Sequence, residues 1–232
     1  MKSRSVIVDA RVDKQILQKL GYYAEDVFPF RSEGLTYESI SCHPDIFVYQ
    51  DKENVIVAPN VPQQLIEYLQ KKNIPFEKGK SNIGFKQIDS CYYNCISTRE
   101  LFLHREGFTD PLVLEKNKGK RFINLPQSYT RCSMFALSEI HFITSDPGIH
   151  KALGKEGLVS FLFSPNEIRI VDHQYGFLGG TCGMQAEKIF FLGNPLRHKD
   201  GRGLVSFIEK EGKECISLCN NYLYDGGGLF FL

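Results

Sequence analysis

The sequence predicts an α/β protein of five similar ββαβ units, a five-bladed α/β propeller that forms one domain over residues 1–232. Five short runs rich in β-branched and aromatic residues recur along the chain, and each is followed by a helical segment. The runs follow one another at steps of 39 to 49 residues, and a fifth unit completed across the two termini accounts for all 232 residues. Five units in the same order indicate a repeat fold rather than an ordinary alternation of strands and helices.

Each unit is predicted to open with a hairpin, because two apolar runs flank a short polar turn. The first strands lie in 41–50, 94–98, 131–137 and 181–186, and their partners lie in 55–60, 101–106, 140–148 and 189–195. The fifth hairpin joins the chain ends, since YDGGGLFFL at 224–232 supplies the first strand and SRSVIVDA at 3–10 supplies the second. Chain termini often lie close together on a domain surface, which makes this pairing feasible.

A helix and a third strand are predicted after each hairpin. The helices lie in 13–21, 61–73, 110–118, 146–157 and 201–212, and the third strands lie in 27–30, 74–78, 121–126, 159–163 and 214–218. Asp110-Pro111 and Asp146-Pro147 have the sequence of a helix N-cap followed by a proline in the first turn. Segment 166–172, NEIRIVD, is predicted as a further hairpin-like strand in the fourth unit.

The composition argues against several classes of partner. Lys and Arg total 28 and Asp and Glu 27, so no global charge favours nucleic acid or an anionic membrane. The apolar runs are too short for a membrane-spanning helix, and the N-terminal run is too short for a signal peptide. The seven cysteines are an odd number inside apolar segments, which favours reduced thiols and a cytoplasmic location. The short basic stretch 196–203 is interpreted as a solvated loop, and it is the only hint in the sequence of a polyanion partner.

The five-unit arrangement, the segment HPDIFVYQD at 43–51 and the tripeptide CSM at 132–134 resemble the pentein fold of the guanidine-modifying enzymes. Members of that fold include arginine deiminase, dimethylarginine dimethylaminohydrolase, agmatine deiminase and amidinotransferases. The resemblance implies an axial site in which a cysteine of the last unit is the nucleophile and a histidine of the third unit transfers protons. Carboxylates of the first two units would hold the guanidinium group. The ribosome anti-association factor shares the fold without being an enzyme.

Position by position, the resemblance places only part of that machinery in this chain. Asp45 matches the first-unit carboxylate, whereas the second-unit position falls near Asn94. Residues 129–131 contain no histidine, and residues 226–228 are three glycines without a cysteine. The usual catalytic cysteine and histidine are therefore absent from their family positions.

Other polar residues stand where the first strands begin, and we expect them to face one small axial pocket. The residues predicted to bind substrate there are Asp45, Asn94, Arg131, Ser133, Thr181 and Asp225. The expected ligand is a small polar molecule, amino-acid-like or guanidino, whose cationic end would pair with Asp45. Arg131, or the bare amides of the glycines at 179–180 and 226–228, would bind a carboxylate.

Two cysteines are candidate nucleophiles for a cysteine-dependent hydrolase or transferase. Cys132 follows Arg131, which is expected to lower the pKa of the thiol, and Cys182 follows the glycine turn GGT. His43 is the candidate base, oriented by Asp45 two residues further on. The alternative is that the cysteines simply pack at a crowded axis. A separate alternative for the function is a non-catalytic interaction protein of the same fold, like the anti-association factor.

No metal site and no cofactor are predicted from spacing. CYYNC at 91–95 and CISLC at 215–219 are both Cys-x3-Cys, which is not the spacing of a zinc knuckle. The isolated histidines at 104 and 173 are interpreted as surface or capping residues. Asp146 is interpreted as the cap of the helix that follows it.

Overall fold

The structure is a computed structural model that describes residues 3–232. Its strands form five three-stranded sheets. The first sheet contains β15 (Phe230–Phe231), β1 (Val6–Asp9) and β2 (Val27–Phe30), and the second contains β3 (Val48–Gln50), β4 (Val55–Val57) and β5 (Glu77–Lys78). The third contains β6 (Ile96–Ser97), β7 (Leu101–His104) and β8 (Arg121–Asn124), and the fourth contains β9 (Met134–Ala136), β10 (His141–Thr144) and β11 (Val159–Leu162). The fifth contains β12 (Cys182–Gln185), β13 (Lys188–Phe191) and β14 (Glu214–Ser217). We refer to them as the first to fifth units.

Every unit has the same pairing. The middle strand runs antiparallel to the strand before it and parallel to the strand after it. A parallel pair needs a crossover connection, and a helix supplies it in each unit. These helices are α1 (Lys14–Leu20), α3 (Gln63–Lys71), α4 (Pro111–Lys116), α6 (Pro147–Lys155) and α7 (Gly201–Lys210). The ββαβ order predicted for all five units is confirmed.

The middle strands are apolar because most of their residues are buried on both faces. Val6, Ile7 and Val8 of β1 are fully buried, as are Phe190 and Phe191 of β13. Buried strands of this kind appear in sequence as continuous hydrophobic runs rather than as an alternation, which is why they were recognisable. The pairing across the chain ends is also present, with Val6 opposite Phe231 and Ile7 opposite Phe230.

Local signals set the helix starts. The Asp146 carboxylate accepts a hydrogen bond of 2.8 Å from the backbone N–H of Ile149, as an N-cap should. The Asp110 carboxylate accepts from the N–H groups of Leu112 and Val113 at 2.9 and 3.4 Å. Both predicted caps are confirmed.

The segments that enter the first strands differ from the prediction. Three of them begin with a helical turn and become extended only afterwards: α2 (Pro44–Phe47), α5 (Thr130–Ser133) and the 3-10 turn Gly179–Thr181. In an extended strand these side chains would alternate between the two faces of the sheet. In the helical turns they point inward instead. Segment 166–172 is not a hairpin, since Glu167 and Asp172 have positive φ and only one isolated bridge forms there.

Hydrogen bonds join each unit to the next one in the chain, and one also joins the fifth unit to the first. The pairs, in order from the first unit, are Phe231 with Gln50, Asp45 with Asn94, Asn94 with Thr130, Arg131 with Gly179, and Gly180 with Gly228. Within residues 3–232, no helix combines the length and the apolar character needed to cross a bilayer.

Candidate functional site

Polar side chains from four of the five units meet in one buried group, and two of them, Asp45 and Cys132, lie in the helical turns α2 and α5. We define the central cluster as Asp9, His43, Asp45, Asn94, Cys132 and Asp225, all of which are buried. Of these, the sequence pattern predicted all except Asp9, which ends β1. As the last residue of an apolar strand in the split unit it carried a recognisable signal. The prediction missed it because only the starts of first strands were considered.

Cys132 and Asp45 form the tightest contact of the central cluster. The Cys132 thiol donates to Asp45 Oδ2 at 2.8 Å. The Asn94 side-chain amide donates to Cys132 Sγ at 3.2 Å, and its oxygen accepts from the Cys132 backbone N–H at 3.1 Å. Asn94 therefore fixes the position of the thiol by bonds to both its side chain and its backbone.

His43 lies beside the thiol with both ring nitrogens unpartnered. Nδ1 is 3.9 Å from Asp225 Oδ1 and Nε2 is 4.0 Å from Asp9 Oδ2, and both separations exceed hydrogen-bond length. The ring is only 1 % exposed, so water at the surface does not satisfy it. The expectation that Asp45 orients this ring is wrong, because the carboxylates that face the ring nitrogens belong to Asp9 and Asp225.

Glycines give Asp225 its position. The carboxylate accepts from the backbone N–H of Phe177 at 2.8 Å and from that of Gly227 at 3.2 Å. Gly227 has a φ of +67°, and a Cβ there would lie 2.5 Å from His43 Cβ and 2.8 Å from Asp45 Oδ1. The glycine run is thus required for close packing of the backbone against the central cluster.

Burial controls the charges in the central cluster. It raises the pKa of Asp45 to about 6 and that of Asp225 to about 7. Burial also lowers the pKa of His43 to about 3, with the charge of Arg11 adding to the effect, so this imidazole is neutral at neutral pH. The pKa of the Cys132 thiol lies well above its ordinary value because of burial and the nearby Asp45 carboxylate.

The expectation that Arg131 lowers the pKa of Cys132 is wrong. The pKa of this thiol is raised instead, and the Arg131 guanidinium donates to the carbonyl oxygens of Gly179 and Cys182, at 2.5 and 2.8 Å. It also lies over the rings of Phe135 and Phe230, at 4.9 and 5.6 Å from their centroids. The side chain joins the fourth unit to the fifth.

The other predicted site residues lie around the central cluster. Cys182 is packed in an apolar group, its Sγ is 3.6 Å from the Gly179 carbonyl oxygen, and burial raises its pKa to about 12. The Thr181 hydroxyl donates to the Leu178 carbonyl at 2.7 Å and so closes its own turn. The Ser133 hydroxyl is buried without a partner.

A large cavity of about 1010 Å³ opens among the hairpins of the units. Of the predicted site residues, only Arg131 lines it, together with groups such as Tyr93, Lys120 and Phe230. The expectation of one axial pocket lined by all these side chains is therefore wrong. Five of them, His43, Asp45, Asn94, Cys132 and Asp225, lie instead in the buried central cluster, outside the lining of the hairpin cavity.

The sequence analysis interpreted His104 as a surface or capping residue, and the structure shows that it is not at the surface. It is fully buried at the end of β7, where Nε2 is 2.8 Å from the Ser128 carbonyl oxygen and Nδ1 is 2.6 Å from the Thr109 hydroxyl. Burial lowers the pKa of His104 to about 4.

We expect this histidine to make the fold sensitive to acid. Between about pH 6.5 and 4 the unfolded chain binds a proton that the folded His104 does not, so the free energy of unfolding falls as the pH falls through this window. The contribution is about 3 kcal/mol. His104→Gln should lose correspondingly less stability than the wild type between neutral pH and pH 4, measured by urea unfolding. Equal losses in both proteins would contradict the assignment.

The comparisons with known proteins agree with this architecture. A family model described as a family of unknown function, DUF6873, matches residues 7–230. The chain belongs to this family. A comparison with curated proteins gave no match.

Solved structures of other proteins have the same fold as this DUF6873 protein. Agmatine deiminase from C. jejuni matches at 8% identity with a TM-score of 0.61, covering 94% of this chain and 87% of the other. Dimethylarginine dimethylaminohydrolase from Pseudomonas aeruginosa, complexed with citrulline, matches at 11% identity and a TM-score of 0.50, covering 94% and 92%. An amidinotransferase from Microseira wollei matches at 10% identity and 0.51, covering 94% and 89%. The predicted resemblance to the pentein fold is confirmed.

Proposed function

We propose that the five units close into a propeller around the central cluster, and that this cluster binds the cationic end of a small guanidino or amidino compound and cleaves or transfers a C–N bond. The observation that carries the proposal is the junction of a thiol, a neutral imidazole and two carboxyl groups in one buried space. Cys132 Sγ lies 2.8 Å from Asp45 Oδ2, and Asp225 faces the ring of His43. The named enzymes that share the fold support the choice of substrate class.

The carboxyl groups supply the recognition of a cation. Asp45 Oδ1 is buried without a hydrogen-bond donor, and guanidinium or amidinium groups present planar N–H donors that carboxylates accept well. Because the central cluster is buried, binding has to be coupled to an opening of the surrounding loops. The cation would then neutralise the two carboxylates in a low-dielectric site, where charge pairing is strong.

The same cation would activate the nucleophile. The Cys132 thiol is a poor nucleophile while Asp45 and Asp225 are unpaired, because their charges and burial oppose the thiolate. A bound cation reverses that field next to Sγ, so the thiolate forms when substrate is present. His43 is the neutral nitrogen base beside the thiol, and the Asp9 carboxylate that faces its Nε2 would stabilise the imidazolium formed when the ring accepts the thiol proton.

The reaction would proceed in two steps. Sulfur attacks the central amidinium carbon to form a C–S bond, and the C–N bond to the leaving amine breaks as that amine takes the proton from His43. Water then attacks the same carbon and the C–S bond breaks. The product carries the water oxygen, one water proton returns to sulfur, and the other is released.

The experiment is a turnover assay on a panel of guanidino and amidino compounds at mildly alkaline pH, read by the amine released and the ureido product formed. We expect Cys132→Ser to lower kcat by at least about 1,000-fold. Cys215→Ser, which alters a half-buried thiol of β14, is the matched control and should keep wild-type activity. Circular dichroism of each variant checks folding.

Two outcomes would change the account. Turnover that survives in Cys132→Ser and disappears in Cys182→Ser would transfer the nucleophilic role to Cys182. If the wild-type protein converts no compound of the panel, the proposed enzymatic activity is contradicted and a non-catalytic interaction protein is favoured.

A further inference from the structure

The central cluster has the donor set of a transition-metal site. His43, Cys132 and Asp225 each offer one ligand atom, and these atoms all lie within 4.8 Å of one another. All three residues are buried. They come from three different units and are far apart in sequence, so no spacing motif marks them.

The histidine is the observation that points to a ligand. Both nitrogens of the His43 ring are buried without a hydrogen-bond partner, and so is Asp45 Oδ1. A buried polar atom without a partner is costly, and native proteins rarely leave several of them together. Both ring nitrogens face carboxylates at 3.9 and 4.0 Å, which leaves a gap between each pair.

We propose that His43, Cys132 and Asp225 bind one zinc-like divalent ion, with Asp45 beside it to balance the charge. A thiolate, an imidazole nitrogen and a carboxylate oxygen are the three ligand types that Zn²⁺ takes in proteins. Ligand bonds of about 2.0 to 2.3 Å place tetrahedral ligand atoms about 3.3 to 3.8 Å apart, so side-chain shifts of about 1 Å would suffice.

The surroundings of His43 fit this assignment. With Nδ1 on the metal beside Asp225, the Nε2–H faces Asp9 Oδ2, which gives a histidine held between metal and carboxylate. Asp9 is itself fixed, since Arg11 and the Tyr224 hydroxyl donate to it. Metal binding would replace the thiol proton of Cys132 and release it to solvent, so the bond from Cys132 to Asp45 would be lost.

This inference goes beyond the proposed function, because it concerns a metal ion bound by the protein alone. The metal and an organic cation would occupy the same negative space, so the experiment omits guanidino compounds. A wild-type protein that retains no Zn²⁺ could still turn over guanidino compounds, and a wild-type protein without turnover could still bind the metal. The two proposals therefore fail independently.

The test is a titration of chelator-treated full-length protein with Zn²⁺, followed by elemental analysis of the desalted protein. Co²⁺ serves as a spectroscopic probe, because a thiolate ligand gives a charge-transfer band in the near ultraviolet. We expect one equivalent of Zn²⁺ per chain, no displacement by Mg²⁺, and the thiolate band with Co²⁺. Cys132→Ser should abolish the band and weaken binding at least about 100-fold, and His43→Gln should weaken it comparably.

Cys215→Ser is again the matched control, since its half-buried thiol lies outside the central cluster. It should bind Zn²⁺ with wild-type affinity. Failure of the folded wild-type protein to retain Zn²⁺ would overturn the proposal without reference to any variant. A thiolate band that persists in Cys132→Ser and disappears in Cys215→Ser would also overturn it.

Discussion

Gly179→Ala should destabilise the protein by at least about 3 kcal/mol, because its new methyl group would meet backbone on several sides. A Cβ at this position would lie 2.7 Å from the Cys132 carbonyl oxygen and closer still to the carbonyl oxygens of Arg131 and Met134. Flexible side chains can move away from a methyl group, whereas these carbonyls belong to α5 and the start of β9. The substitution would force the fourth and fifth units apart where they flank the central cluster.

The matched control for this variant is Gly154→Ala. Gly154 lies in α6, and a Cβ there would meet nothing within 4 Å. An exposed glycine in a helix is less favourable than alanine, so this variant should be more stable than the wild type by about 0.5 kcal/mol. Urea unfolding of both variants measures the difference. A Gly179→Ala protein as stable as the wild type would mean that the two units do not pack as closely as described.

Arg131→Ala should cost about 3 kcal/mol of unfolding free energy and leave the hairpin cavity larger. The substitution removes two charge-assisted hydrogen bonds to the carbonyls of Gly179 and Cys182, and it removes the stacking on Phe135 and Phe230. Arg131→Lys should recover less than half of the loss, because an ammonium cannot supply the planar fork of donors that reaches both carbonyls.

Arg105→Ala tests whether stacking alone explains such a loss. The Arg105 guanidinium also lies over a ring, 4.7 Å from the Phe108 centroid, but the residue is exposed. We expect this variant to cost less than about 0.5 kcal/mol. Equal effects of Arg131→Ala and Arg105→Ala in urea unfolding would contradict the bridging role of Arg131.

The repeat could be predicted because its signals are local. Each middle strand is a continuous apolar run, since burial on both faces removes the alternation of a half-exposed strand. Asp110 and Asp146 cap helices through bonds to residues two or three positions away, so neighbouring residues alone determine those helix starts. Such features need no knowledge of the tertiary structure.

The internal geometry of the site was harder to predict, because its contacts are distant in sequence. Cys132 and Asp45 are 87 residues apart, and Arg131 reaches carbonyls 48 and 51 residues away. The helical turns that aim these side chains are shorter than a stable isolated helix, so tertiary contacts must hold them. Pro44, which occupies the first turn of α2, was the one local signal that an extended strand does not begin there.

The most direct test of the central claim is calorimetric binding of guanidino and amidino compounds to Cys132→Ser, a variant in which turnover cannot obscure binding. The matched protein carries Asp45→Asn in addition, which removes one buried carboxylate with little change of shape. We predict that at least one compound binds with a stoichiometry of one, and that Asp45→Asn weakens it at least about tenfold because a charge-assisted pair is lost. No binding across the panel, or equal affinity in both proteins, would contradict recognition of a cation by the central cluster.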